Sequence, residues 1–186
     1  MNKSGIPQRS NLAMRLDISL CRRFNRYARR RAVHRYFAAV SRLGDGVFWY
    51  FLMGLIPFVF GWQYWAASLH MAITAVVALL LYTTLKRRIR RPRPFQRYQD
   101  VTVRIPPLDE FSFPSGHTLH AVAFSTVAVA HIPALAFPLV PFTISVALSR
   151  VILGVHYPSD VLAAIVIGLG LGKLMLWAGP ALGLIA

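Results

Sequence analysis

Nineteen of the 21 lysines and arginines in this 186-residue chain fall into two blocks, one before Asp45 and one between Lys86 and Arg104. Only Arg150 and Lys173 are added elsewhere. With 56% hydrophobic residues and a mean hydropathy of +0.51, the rest is too apolar for an ordinary soluble domain. The runs between the charged blocks predict an all-α fold, a polytopic membrane helix bundle of about five spans. These are Gly46–Trp62, Trp65–Leu85, Thr118–Ala136, Phe137–Leu153 and Val161–Gly179. The first would be about 25 Å long as helix, short of a hydrocarbon core of roughly 30 Å. Trp49, Tyr50, Trp62, Tyr64 and Trp65 mark its two ends, where interfacial aromatics are expected.

The chain divides at residue 45 into a basic, amphipathic N-terminal segment (1–45) and a transmembrane domain (46–186). From Arg15 to Tyr36 the apolar residues Leu16, Leu20, Phe24 and Tyr27 recur at helical spacing, and Arg22, Arg23, Arg26, Arg29 and Arg30 fill much of the rest. That pattern predicts one interfacial helix lying on the membrane, not crossing it. A formal net charge of +15 would suit nucleic acid or an anionic surface. Because the charge flanks apolar runs, anionic membrane lipid is the expected partner and nucleic acid is not. Cys21 is the single cysteine, which excludes an intrachain disulfide and a thiolate metal cluster.

Three polar clusters stand at the ends of apolar runs: Lys86 to Pro94, Pro114-Ser115-Gly116-His117, and Ser149-Arg150 followed by His156 and Asp160. Counting crossings brings all three to one membrane face. Ionisable groups beside lipid are costly, so their convergence predicts a functional site. Lys86, Arg93 and Arg150 are fixed cations able to hold a phosphate. His117 and His156 supply nucleophilic and acid chemistry, and Asp160, four residues after His156, can orient its ring. Ser115 and Gly116 precede a helix whose N-terminal N–H groups favour an anion. Arg91-Pro92 repeats the Arg93-Pro94 pair two residues early, leaving open which arginine reaches the phosphate. His70, His120 and His131 are expected to pack between helices or lie at the membrane interface.

Lys86, six residues, then Arg93-Pro94; Pro114-Ser115-Gly116-His117; and Ser149-Arg150, five residues, His156, three residues, Asp160 resemble the three-part signature of the type 2 phosphatidic acid phosphatase (PAP2) family. The resemblance implies a membrane-bound lipid phosphate phosphatase, similar to the undecaprenyl pyrophosphate phosphatases of that family. It implies His156 as nucleophile forming a phosphohistidine, Asp160 as its orienting carboxylate and His117 as general acid. Lys86, Arg93, Ser115, Gly116 and Arg150 would bind the phosphoryl group. Undecaprenyl pyrophosphate, phosphatidylglycerophosphate, phosphatidic acid and lipid A all fall within the substrates it allows.

No cofactor or metal is expected: fixed cations can stabilise phosphoryl transfer, and no carboxylate cluster suited to magnesium stands in the three motifs. A non-catalytic anion or lipid-phosphate transporter is the alternative, since it needs the cations but no histidine nucleophile. A serine hydrolase built on Ser115, His156 and Asp160 lacks a Gly-x-Ser-x-Gly elbow. The expected location is the bacterial inner membrane. The excess of Lys and Arg points the site to the cytoplasmic face, whereas the resemblance points to the periplasmic one.

Overall fold

A computed structural model describes residues 12–184, so the first 11 residues of the basic segment lie outside it. The described residues are helical and contain no strand. In order the helices are α1 (Leu12–Tyr27), α2 (Arg31–Gly44), α3 (Val47–Phe60), α4 (Trp65–Ile89), the single-turn α5 (Pro94–Arg97), α6 (Gly116–His131), α7 (Ala136–Ile152) and α8 (Pro158–Ala178). Among them three stretches are long and apolar enough to cross a membrane: Trp62–Arg97, Pro133–Ile152 and Pro158–Ala178. A fourth arises if α2 and α3, bent by 59°, count as one broken span. At 16 residues α6 is the shortest helix at the predicted spans after α3.

The N-terminal segment departs from expectation. One helix was predicted over 15–36, but the chain breaks after Tyr27, with Arg30 extended (φ −78°, ψ 122°) ahead of α2. The reason is tertiary, because the two halves dock differently. In α1, Asn25 donates to Thr102 O and Ile152 O, at 2.9 and 3.0 Å. In α2, Tyr36 and Ser41 bond α7 at other positions, Ser145 and Arg150. The face docked on the bundle is separate from the apolar stripe, which was expected to lie on the membrane. Asp17, Ile18, Cys21 and Asn25 are buried, while Leu16, Leu20 and Tyr27 are exposed, and only Phe24 of the stripe packs against Ala147, Val151 and Val161.

Gly46 joins α2 to α3 at φ +131°, a backbone conformation that a side chain would strain. The turn leaves α3 with 14 residues, about 21 Å. Trp49, expected at the interface, is 1% exposed and packs against Phe48, Phe124 and Phe142. Trp62, Trp65 and Tyr50 remain exposed.

The bundle is built round α6, which packs on α8, α4 and α7. The closest approach is to α8. A Cβ on Gly168 would lie 2.8 Å from Leu119 O, and one on Gly172 2.7 Å from Thr126 Cβ, so both glycines are where the backbones meet. Gly170 faces open space. Apolar side chains such as Phe51, Phe58, Leu80, Phe137, Val166 and Trp177 stand exposed on the outer helices. The C-terminal ends of α4 and α7 and the N-terminal ends of α6 and α8 carry the three polar clusters.

Candidate functional site

Arg90, left-handed at φ 50°, ends α4, and its N–H returns to Lys86 O. Two prolines then frame Arg93, whose backbone N–H donates to Gln96 Oε1 at 2.8 Å. This places a nearly buried guanidinium in the site. Arg93 Nη1 donates to Val155 O at 2.8 Å and lies 3.4 Å from His156 Nε2. Val155 and His156 are held in turn by N–H bonds to Arg150 O, at 3.2 and 3.1 Å. The nucleophile candidate and two cations are thus one local unit.

His156 presents Nε2 to the Arg93 fork and Nδ1 to Asp160, 3.6 Å from Oδ2. That separation is longer than a hydrogen bond. Burial pushes the imidazole down to about 3, with Arg150 and Arg93 adding to the shift and Asp160 opposing it, so the ring is neutral at physiological pH. A neutral ring keeps a lone pair for attack.

Asp160 sits in the first turn of α8 and is fully buried. The N-cap of that helix is Tyr157, not Asp160; the carboxylate accepts the Tyr157 N–H at 2.9 Å as well as facing His156. Ser112 donates to the same Oδ2, while Arg91 Nη1 donates to Oδ1 at 2.6 Å. Arg91 is therefore clamped between carboxylates, Asp160 and Asp17, and Arg93 is the arginine beside His156.

Ser115 is the buried N-cap residue of α6, its hydroxyl 3.0 Å from that of Thr118 and its N–H donated to Asp160 O at 3.3 Å. Gly116 and His117 open the helix and line a cavity of about 460 Å³ together with Asp109 and Asp45. Trp49, Met53, Ala72, Val76, Leu79 and Phe124 form its apolar walls. His117 pairs through Nε2 with Asp45. Arg150, almost wholly buried, donates to Ser41 Oγ. Lys86 Nζ lies 2.6 Å from Asp109 Oδ1 and donates to Phe111 O at 2.9 Å. The same carboxylate oxygen takes Arg93 Nη2 at 2.8 Å. Burial opposes ionisation of Asp109, but Lys86 and Arg93 outweigh it and hold the carboxyl below its usual range. All eight residues singled out in the sequence stand at one end of the bundle.

Of the other histidines, His120 lines the same cavity as His117. His120 donates to Gly116 O at 2.9 Å and packs on Tyr82 and Phe124. His70, expected to pack alone, pairs with His131 Nε2 at 3.0 Å and donates to Met175 O. Among the described residues no cluster of His, Cys, Asp or Glu could hold a metal ion.

Motif reasoning missed Asp17, Ser41, Asp45, Asp109 and Ser112, and held Arg91 only as an alternative to Arg93. A signal was present, since the chain has only six acids against 21 Lys and Arg. Four of them, Asp17, Asp100, Asp109 and Asp160, form ion pairs with arginine or lysine, and Asp45 meets His117. In so basic a chain a carboxylate is a scarce partner and marks a site where charge must be balanced.

The fold and sequence have close counterparts. Aquifex aeolicus LpxE superposes with a TM-score of 0.75 at 26% identity, covering 90% of this chain and 98% of that one. The first transmembrane PAP2-type phosphatidylglycerolphosphate phosphatase from Bacillus subtilis gives 0.73 at 25% identity, covering 93% and 89%. Undecaprenyl-diphosphatase BcrC of B. subtilis is 34% identical over 106 residues, 57% of this chain and 54% of that protein. The chain spans about half the length of the curated relatives it matches. The family model described as PAP2 superfamily matches residues 63–183, which include all three polar clusters. By sequence and by fold, the chain belongs to the PAP2 superfamily.

Proposed function

We propose that the chain is a multi-pass membrane phosphatase that hydrolyses the phosphomonoester or pyrophosphate of a lipid through a phosphohistidine. The observation that carries this reading is the placement of His156, neutral and buried, with Nε2 at the Arg93 guanidinium and Nδ1 toward Asp160. Nε2 attacks phosphorus as the P–O bond to the lipid breaks, and His117 gives its proton to the leaving oxygen. Water then attacks the phosphohistidine, returning a proton to His117 and releasing inorganic phosphate. Lys86, Arg93 and Arg150, with Ser115 and Gly116 at the start of α6, balance the charge on the phosphoryl oxygens. Fixed cations in that number do the work that a metal does in other phosphoryl-transfer sites, so the reaction is metal-independent.

The cavity lined by His117 and Asp109 has largely apolar walls. It suits a phosphate attached to a chain that stays in the bilayer. Undecaprenyl pyrophosphate is the leading substrate, on the likeness to BcrC; phosphatidylglycerophosphate, phosphatidic acid and lipid A share the reacting group. In this reading α3, α4, α6, α7 and α8 make five crossings, with α6 packed among its neighbours. The basic face of residues 1–45 rests on anionic lipid of a bacterial inner membrane. Purified protein assayed for phosphate release against that panel should cleave at least one lipid, with EDTA present. Release from none, or inhibition by EDTA reversed by magnesium, would overturn the reading.

A further inference from the structure

Asp17 lies on α1, outside the residues that the family model matches. It is 7% exposed, and its carboxylate is completely engaged. Oδ2 accepts Arg91 Nη2 at 2.6 Å and Ser159 Oγ at 2.5 Å, and Oδ1 accepts the Ser159 N–H at 2.9 Å. Arg91 continues the chain of bonds through Nη1, to Ser159 Oγ at 2.7 Å and Asp160 Oδ1 at 2.6 Å. Its guanidinium stacks on the Tyr157 ring, 4.0 Å from the centroid. A carboxylate about three-quarters of the chain away is thereby wired to the acid beside the nucleophile.

We infer that Asp17 is a positioning residue for the nucleophile, acting through Arg91 and Ser159 to hold the Asp160 carboxylate against His156. The inference rests on the phosphatase reading of the site. Three observations support a role beyond packing. Asp160 must keep Oδ2 for His156, and with Oδ1 taken by Arg91 the carboxylate cannot rotate without losing a charge-assisted bond. Both polar atoms of Ser159 are committed to Asp17, so the first turn of α8, which carries Asp160, is pinned to α1. A buried arrangement of two carboxylates and one arginine is costly to desolvate, and apolar side chains would hold α1 in place at no such cost. The N-terminal helix is in this sense part of the catalytic unit.

The test uses full-length protein in detergent or nanodiscs, comparing wild type with Asp17→Asn, Arg91→Gln, Arg91→Lys and Asp100→Asn. Asp100 also ties α1 to the loop, through Arg22 at 3.0 Å, but touches none of the site residues. Asp17→Asn and Arg91→Gln should lower kcat by about 10- to 100-fold with KM unchanged, as misorientation of a reacting group does. Arg91→Lys, which keeps the charge but not the fork, should recover part of the loss, and Asp100→Asn should match wild type. The second readout is the tautomer of His156 by 15N NMR of histidine-labelled protein. Wild type should hold the proton on Nδ1, and Asp17→Asn should move part of it to Nε2. An unchanged kcat, a loss confined to KM, or an unchanged tautomer despite lost activity would overturn the inference. If wild type cleaves no lipid phosphate, the phosphatase reading fails, and the tautomer comparison, which needs no turnover, still decides the role of Asp17.

Discussion

Asp109 Oδ1 accepts from both Lys86 and Arg93, so one carboxylate oxygen already stands on two cations proposed to bind a phosphoryl group. Substrate must take over those bonds. Asp109 is more than one-third exposed, so its hold is limited, and Asp109→Asn should tighten competitive inhibition by inorganic phosphate about fivefold, equivalent to ~1 kcal/mol. Weaker inhibition would mean that Asp109 aligns the cations and does not compete for them. The two histidines are separable in a different way. His117→Ala and His156→Ala should each reduce lipid phosphatase activity by roughly 10²-fold or more while the protein stays folded. An aryl phosphate, whose leaving group needs no proton, should partly restore turnover to His117→Ala and not to His156→Ala. Equal restoration would reverse the assigned roles.

Helix packing is decided by small contacts with large consequences. The glycines of α8 look alike in sequence, yet Gly168 and Gly172 face α6 and Gly170 faces outward. A methyl on Gly168 would meet the Leu119 carbonyl, a backbone atom that cannot swing aside. Gly168→Ala should therefore destabilise the protein by about 1–3 kcal/mol, the range for overpacked cores, and Gly170→Ala should not. Thermal unfolding in detergent measures the difference; equal midpoints would refute the close α6–α8 approach. At the N-terminus the helical period was legible but its partner was not. The predicted stripe of Leu16, Leu20 and Tyr27 is exposed, while a neighbouring face bearing Asp17, Cys21 and Asn25 is buried. Hydrophobic spacing reports an apolar face, and here the docking face is partly polar because it carries bonds to the site.

For the whole molecule, the open question of sidedness becomes a single measurement. Residues of α1 and α2 bond to the site end of the bundle, through Asp17, Ser41 and Asp45. The N-terminal segment and the catalytic loops therefore share a side, and together hold 19 of 21 basic residues. From that charge bias the positive-inside rule predicts a cytoplasmic site. Thr102→Cys, exposed on the loop before α6, should then resist an impermeant thiol reagent in intact cells and react in inverted vesicles, with buried Cys21 replaced. Labelling in intact cells would place the site outside. The sequence alone determined the all-helical membrane character, the order of the apolar helices and the three clusters at their ends. Those are local properties, set by runs of apolar residues and by spacings of a few residues within one motif. Tertiary structure alone decided which acid meets which base: Asp17 with Arg91, 74 residues apart, and Asp45 with His117, 72 apart. It also set Arg91 on Asp160 and left Arg93 at His156. No spacing rule reaches that far, because such pairs are fixed by how helices dock, and docking depends on the shape and burial of surfaces that distant segments create together.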